Sequence, residues 1–496
     1  MKVGIQNSQS SFNGRTKIFA ITDTHQETRK TGAFLSKILS ASKGKKNVLF
    51  IHDGDLFKGI YPRQLERDMY IKMKNLNPDI EMVMTLGNND FGFNKEALDY
   101  LIDTVKMFAQ KGIHVVCANI FDALGNRPEW LKPYAVVTRD GDKTLVTGFC
   151  IDNINTAKFG LHAKKQNLVL DEISQIIKNE KPDNVIVLNH DFMQSSQNIH
   201  RELVKKGVKV DITIGGHSHD RTPPDLDKHI YYPEAFGESM YEIELENVSG
   251  EKKVRTIKEQ RNQGLSIKQD FYSEIEEFEK ESNLLDKIVP SVLHLPKKYS
   301  EPSALGSFLA DEIKTQSKSD IAFFSTGFLM KSLEYKPNSY ITKYKLKKAM
   351  IAENPIKKVE LTSSELFELF QHSLRDYKNG NSNPKFLQCS NNIMLEGQRN
   401  SAKNTWDLKQ IYINNKPLFD ENRKPLETDR KYICAIDSYI AEGGQGFTVL
   451  QNAMKSDVIL NDKPLKINDA LLNGLFKAKE GYKEGETYPH FMIKNG

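Results

Sequence analysis

The sequence predicts an α/β fold in two domains. Three observations carry this. Apolar runs of strand length alternate with amphipathic helical segments through the first half of the chain. These runs end, one after another, in Asp, His or Asn. The chain has 496 residues, more than one hydrophobic core accommodates.

The first run, residues 17–22, opens onto Asp23-Thr24-His25. The second, 47–51, ends in His52-Asp53-Gly54-Asp55, and a helical segment covers 63–76. A third strand, 81–85, leads into Leu86-Gly87-Asn88-Asn89-Asp90. Residues 94–110 read as a helix, with Leu98, Leu101, Ile102, Val105 and Phe108 on one face. Strands follow at 113–117, ending in Ala118-Asn119, and at 143–148. The strand 184–188 ends in Asn189-His190. Residues 210–214 run into Gly215-Gly216-His217-Ser218-His219-Asp220. The two glycines permit a tight turn there. They leave the histidines at a strand's carboxyl end, where open α/β sheets bind ligands.

Each strand end alone has a plain structural reading, because Asp, Asn and Gly favour turns. His190 reads equally as a core histidine, Asn88 as a loop cap and Asp23 as a helix cap. Five strand ends with metal-capable side chains are a different matter. Imidazole and carboxylate together suit zinc, manganese or iron, and a set without cysteine suits a hydrolytic centre better than a closed structural zinc site.

Hydrophobic residues make up 39% and charged residues 27%, as in globular proteins. The net charge of +5 suits anionic substrates and gives no case for nucleic-acid binding. The lysine clusters at 43–46 and 343–348 read as solvated faces. Cys117, Cys150, Cys389 and Cys434 lack metal-like spacing and imply no disulfide framework. No apolar run approaches the ~18 residues of a membrane span. Residues 1–15 lack the apolar core of a signal peptide, so a cytoplasmic protein is expected, or an exported one whose signal was removed.

Asp23-x-His25, Gly54-Asp55, Gly87-Asn88, His190 and Gly216-His217-x-His219 resemble, in order, the motifs of calcineurin-like metallophosphoesterases. Pro133-Tyr134, the region 234–245 and the second half of the chain are similar to the branch containing 5'-nucleotidases, UDP-sugar hydrolases and 2',3'-cyclic phosphodiesterases. The resemblance implies a four-layer α/β/β/α domain over residues 1–265. A linker helix at 266–283 and an α+β substrate-binding domain at 284–496 would follow. It implies two divalent ions, of zinc, manganese, iron or cobalt. Asp23, His25 and His219 would hold the first, Asn88, His190 and His217 the second, and Asp55 would bridge them. The bridge keeps such ions ~3.5–4 Å apart, and a hydroxide activated between them attacks phosphorus. The expected substrate is a small phosphate ester, a nucleotide by resemblance, with neither nucleic acid nor membrane as partner. The oligomeric state stays open.

The chain departs from the pattern at informative places. Asn89 stands where the family has a catalytic His, and Gly92 where it has the Asp that orients that His. Asn89 and Asp55 are therefore the expected catalytic residues, and Asn89 donates a hydrogen bond but delivers no proton. Losing a general acid costs ~10²–10⁴ in rate. In the second domain the resemblance places a base between Phe386 and Phe447, with Gly444 and Gly446 close to the ligand. Met330 replaces a substrate-gripping arginine, and Gln445 a common Asp. The alternative reading is a catalytically weak or inactive metal- and ligand-binding protein of the same fold. A third is a hydrolase for another ester, such as a thiosulfonate or a cyclic nucleotide.

Overall fold

A computed structural model describes residues 15–496, apart from 93, 140–141, 153, 155–158, 220–221, 249–250, 299–300, 351–352, 375–384, 401–404, 491 and 496. The polar stretch 1–14 and Asp220 lie outside the described residues. The chain divides into two compact units, Met1–Phe278 and Glu279–Gly496.

The first unit opens with parallel β-α-β steps. They are β1 (Arg15–Ile21), α1 (Thr28–Ser42), β2 (Val48–Asp53), α2 (Arg63–Leu76), β3 (Glu81–Thr85), α3 (Lys95–Gln110) and β4 (Ile113–Val115). β5 (Ile120–Asp122) precedes a second series, formed by β6 (Tyr134–Arg139), β7 (Asp142–Cys150), β8 (Leu161–Ala163) and α4 (Leu170–Glu180). β9 (Asn184–His190), α5 (Met193–Lys205), β10 (Ile212–Gly215) and β11 (Ile230–Tyr231) complete it. The hairpin β12 (Ser239–Val248) and β13 (Glu251–Arg261) then returns to β1, and α6 (Gln269–Glu281) follows.

Two sheets result, in the orders β13-β12-β1-β2-β3-β4 and β11-β10-β9-β7-β6. Ile18, Ile51 and Val83 of the first sheet pack with Val146, Ile186 and Ile214 of the second in one buried cluster. Strand residues alternate faces, so Phe50 points the other way and stacks on Tyr70 of α2, with ring centroids 6.0 Å apart. Leu145, Val185 and Val187 likewise face Ile173 of α4 and Leu203 of α5. The layers are thus helix, sheet, sheet, helix. Burial on both faces explains why the parallel strands read as continuous apolar runs.

The helices begin where the sequence permits. Asn94 caps α3, its side chain accepting from Ala97 N at 2.8 Å. α2 keeps the expected bounds. β2 and β9 run two residues beyond their apolar segments, through Asp53 and His190, because those polar residues are buried and stay paired in the ladder. α6 buries Phe271 and Ile275, and Ile275 lies in van der Waals reach of Gly32 on α1.

The second unit has a five-stranded sheet built from Ile321–Ser325, Ile356–Thr362, Leu387–Cys389, Lys431–Asp437 and Lys455–Asp457. The helix Ala304–Ser317 packs on one face, with Phe308, Leu309 and Ile313 buried, and Ser363–Leu374 packs on the other. The four cysteines are buried free thiols. Among the described residues no helix is long and apolar enough to cross a membrane.

Candidate metal centre

The carboxyl ends of β1, β2, β3, β9 and β10 meet at one rim of the first unit. Five of the side chains they deliver sit on left-handed backbone. Asp23, His25, Asp55, His217 and His219 have φ of 46°, 47°, 55°, 71° and 56°. Non-glycine residues adopt this region at a cost, and such residues cluster where function demands an exact aim. Glycine makes room beside them. A Cβ on Gly87 would stand 2.1 Å from Asp55 Oδ1, and one on Gly216 would stand 2.6 Å from Asp23 Oδ2.

Donor atoms of Asp23, His25, Asp55 and His219 all lie within 4.8 Å of one another. His25 Nε2 and His219 Nε2 are 2.8 Å apart, within hydrogen-bond reach of each other. Asp23 Oδ2 is committed elsewhere, accepting from Thr22 Oγ1 at 2.7 Å and from His217 N at 2.9 Å. Its Oδ1 faces the cluster, 3.2 Å from His219 Nε2 and 3.7 Å from both His25 and His190 Nε2. Asp55 Oδ2 lies 3.3 Å from His190 Nε2 and 3.6 Å from His25 Nε2. His217 Nδ1 lies 2.9 Å from Asn88 Oδ1. Asp23, His25, Asp55 and His219 thus form one cluster, with His190 against both carboxylates and Asn88 paired with His217.

The donor set suits a cation. His190 Nδ1 is committed to the Asp53 carbonyl at 2.5 Å, while its buried Nε2 has no hydrogen-bond partner among the described residues and looks toward two carboxylates. Burial alone would push the His190 pKa down, but Asp55 and Asp23 outweigh it and hold it well above the usual histidine value. Burial would raise Asp23, and His190 with His219 and His25 holds it well below the usual carboxylate range. Burial and the His190 charge push His217 down to about 4. Two buried carboxylates pulling on one imidazole mark a place short of positive charge, which divalent ions would supply.

Asn89 lies against this cluster. Its backbone N–H donates to Asp55 Oδ1 at 2.8 Å and its side-chain amide to Asp55 Oδ2 at 2.6 Å. Asp90 ties the loops together, accepting from Asp55 N, Gly87 N and Phe57 N, each at 2.9 Å. Burial, then the Asp55 charge, pushes Asp90 up to about 7. Gly92 has φ 69°, and a Cβ there would stand 2.4 Å from Ala97 Cβ. The backbone that positions Gly92 leaves no room for an aspartate.

Four residues of the site were missed by sequence reasoning. Lys58 Nζ donates to Asn89 Oδ1 at 2.8 Å. Gln26 holds the loop after Asp55 through Lys58 N at 3.0 Å. Phe236 lies 5.2 Å and 5.0 Å from the rings of His25 and His219, and Phe192 lies 4.9 Å from that of His217.

In the second unit the expectation for Phe386 and Phe447 needs correction. Each is 1% exposed and packs inside the core with Phe323, Leu366 and Phe370. Neither ring has a face free for a base. The glycines beside Phe447 serve loop packing. Gly446 takes φ 83°, and a Cβ on Gly444 would strike the Tyr439 ring at 2.7 Å. Tyr439, half-exposed, is the aromatic this loop presents, with Phe328 6.3 Å away edge-on. Met330 is half-buried, its backbone N–H donating to Ala349 O at 2.9 Å.

Residues 16–221 match the family model described as calcineurin-like phosphoesterase, and residues 282–452 that of the 5'-nucleotidase C-terminal domain. The chain is 22% identical to an apyrase of Aedes albopictus, over 88% of this chain and 84% of that one. It is 23% identical to a 5'-nucleotidase of Diplobatis ommata, over 84% of this chain and 78% of that one. Among solved structures it is similar to a 5'-nucleotidase precursor from Thermus thermophilus, with a TM-score of 0.73 at 17% identity, covering 97% of this chain and 99% of that one.

Proposed function

We propose, for a chain that belongs to the metallophosphoesterases joining a calcineurin-like domain to a 5'-nucleotidase C-terminal domain, that it hydrolyses nucleotides or related phosphate esters at a dinuclear centre around Asp55. The family makes it a metal-dependent phosphoester hydrolase. The observation that supports the finer reading is the cluster of Asp23, His25, Asp55 and His219 donor atoms within 4.8 Å of one another, with His190 Nε2 3.3 Å from Asp55 Oδ2 and His217 Nδ1 2.9 Å from Asn88 Oδ1. Asp23, His25 and His219 would hold one ion, Asn88, His190 and His217 the other, with Asp55 between. Two divalent ions there would make a nucleophile of water near neutral pH and neutralise charge on the phosphoryl oxygens.

The protein's own residues do the rest. Asp23 and Asp55 carry the negative charge that retains the ions. Asn89 lies against Asp55 and offers N–H groups but no transferable proton. The enzyme therefore favours leaving groups that need little protonation, such as pyrophosphates and activated esters. Nucleotides are the substrate class because the relatives are apyrases and 5'-nucleotidases. Tyr439 offers the exposed aromatic surface for a base.

The test compares an aryl phosphate with a nucleoside monophosphate, for wild type and Asn89→His. The histidine is expected to raise turnover of the monophosphate at least tenfold and to change the aryl ester little. Equal effects on both would sink the leaving-group reading. Gly92→Asp is not a partner for this test, because the backbone there rejects a side chain. Two bound metals with no turnover of any ester would favour the inactive binding protein instead.

A further inference from the structure

We propose that the Lys58 ammonium, fixed by Asn89, is a phosphoryl-binding cation of this site. The inference rests on the metallophosphoesterase reading above.

Lys58 lies three residues beyond Asp55, on the same loop. Its Nζ donates to Asn89 Oδ1 at 2.8 Å, and Asn89 Nδ2 donates onward to Asp55 Oδ2 at 2.6 Å. Ammonium, amide and carboxylate form one chain. The amide has a donor end that needs the carboxylate and an acceptor end that needs a cation. Its orientation and the lysine's position fix each other.

The loop is built for this aim. Lys58 has φ 125°, a conformation that side chains rarely adopt. Gln26 Oε1 accepts from Lys58 N at 3.0 Å and also from Gly59 N, while Gln26 Nε2 donates to Tyr61 O at 2.5 Å. Gly59 presses on the His25 segment, where a Cβ would stand 1.9 Å from His25 O. A lysine left to itself extends into water, because burying its ammonium is costly. Here the residue is only partly exposed and its ammonium is turned to Asn89, which is itself bonded to Asp55.

The charge balance says what belongs beside it. A third cation next to a pair of divalent ions is repelled in the free enzyme. It becomes favourable once a dianionic phosphate shares the space. Lys58 thus selects for the anion and acts where the family's His is missing. It grips by charge and hydrogen bond.

Inorganic phosphate is titrated calorimetrically into manganese-loaded wild type, Lys58→Met, Lys58→Gln and Lys58→Arg, with bound metal measured in each. Methionine and glutamine are expected to weaken phosphate about 10- to 100-fold at unchanged metal content. Arginine, which keeps the charge, is expected to retain most of the affinity. Equal affinity in the arginine and glutamine variants would overturn the proposal. So would a loss of phosphate binding that merely follows lost metal. The hydrolase reading is judged separately, by turnover of wild type against Asp55→Asn, so the two can fail independently.

Discussion

Asp55 is held by its neighbours on every side, and small changes around it are felt. A methyl group on Gly87 would stand 2.1 Å from its Oδ1. Gly87→Ala is therefore expected to displace the Asp55 carboxylate and its backbone nitrogen, 2.5 Å from the added Cβ, and to cut turnover at least 100-fold in the protein that remains folded. A steady-state assay with a melting curve checks this, and full activity would contradict the placement of Asp55. Glu66 makes a prediction of another kind. It is fully buried, bonded to Thr28 Oγ1 at 3.0 Å, and burial pushes it up to about 7 from 4.5. Its protonated form stabilises the fold fully below pH 4.5, and that contribution is lost as pH rises toward 7. Glu66→Gln should match wild type at pH 4.5 and exceed it above pH 7 by up to about 3 kcal/mol. Urea midpoints at both pH values measure the difference; a glutamine variant less stable at pH 8 would contradict it. The candidate ligand residues stood out in the sequence because their types suit a cation and they follow strand ends. Lys58 did not, because its meaning depends on Asn89, 31 residues away, and on a backbone conformation no pattern announces.

At the scale of elements, the strands and helices of the first unit could be read because burial on both sheet faces leaves long apolar runs. Strand ends were read short where the ladder continues through polar residues, as at Asp53 and His190. The aromatics of the second unit were misread for a related reason. Whether an isolated phenylalanine is core or surface depends on what packs over it, and Phe447 is buried in the same core cluster as Leu366, Phe370 and Leu450, its ring 4.7 Å from that of His372. Phe447→Ala should cost about 3–5 kcal/mol of stability, as core truncations of this size do. Chemical denaturation checks it. A variant of wild-type stability with a raised KM for nucleotide would restore the base-stacking role.

For the whole molecule, the candidate metal residues all belong to Met1–Phe278, and the candidate base-binding residues to Glu279–Gly496. Metal loading and substrate preference should then separate by mutation. Tyr439→Ala is expected to raise KM for a nucleoside phosphate severalfold, with KM for a simple aryl phosphate and the metal content unchanged. The central claim concerns the cations themselves. The most direct measurement is the metal content of the purified protein and of Asp55→Asn after dialysis against trace manganese or zinc. Two equivalents per chain in the wild type, falling to one or none with loss of turnover in the variant, is the predicted result. A wild type that hydrolyses phosphate esters with no bound metal, or an Asp55→Asn protein that keeps both ions and full turnover, would contradict it.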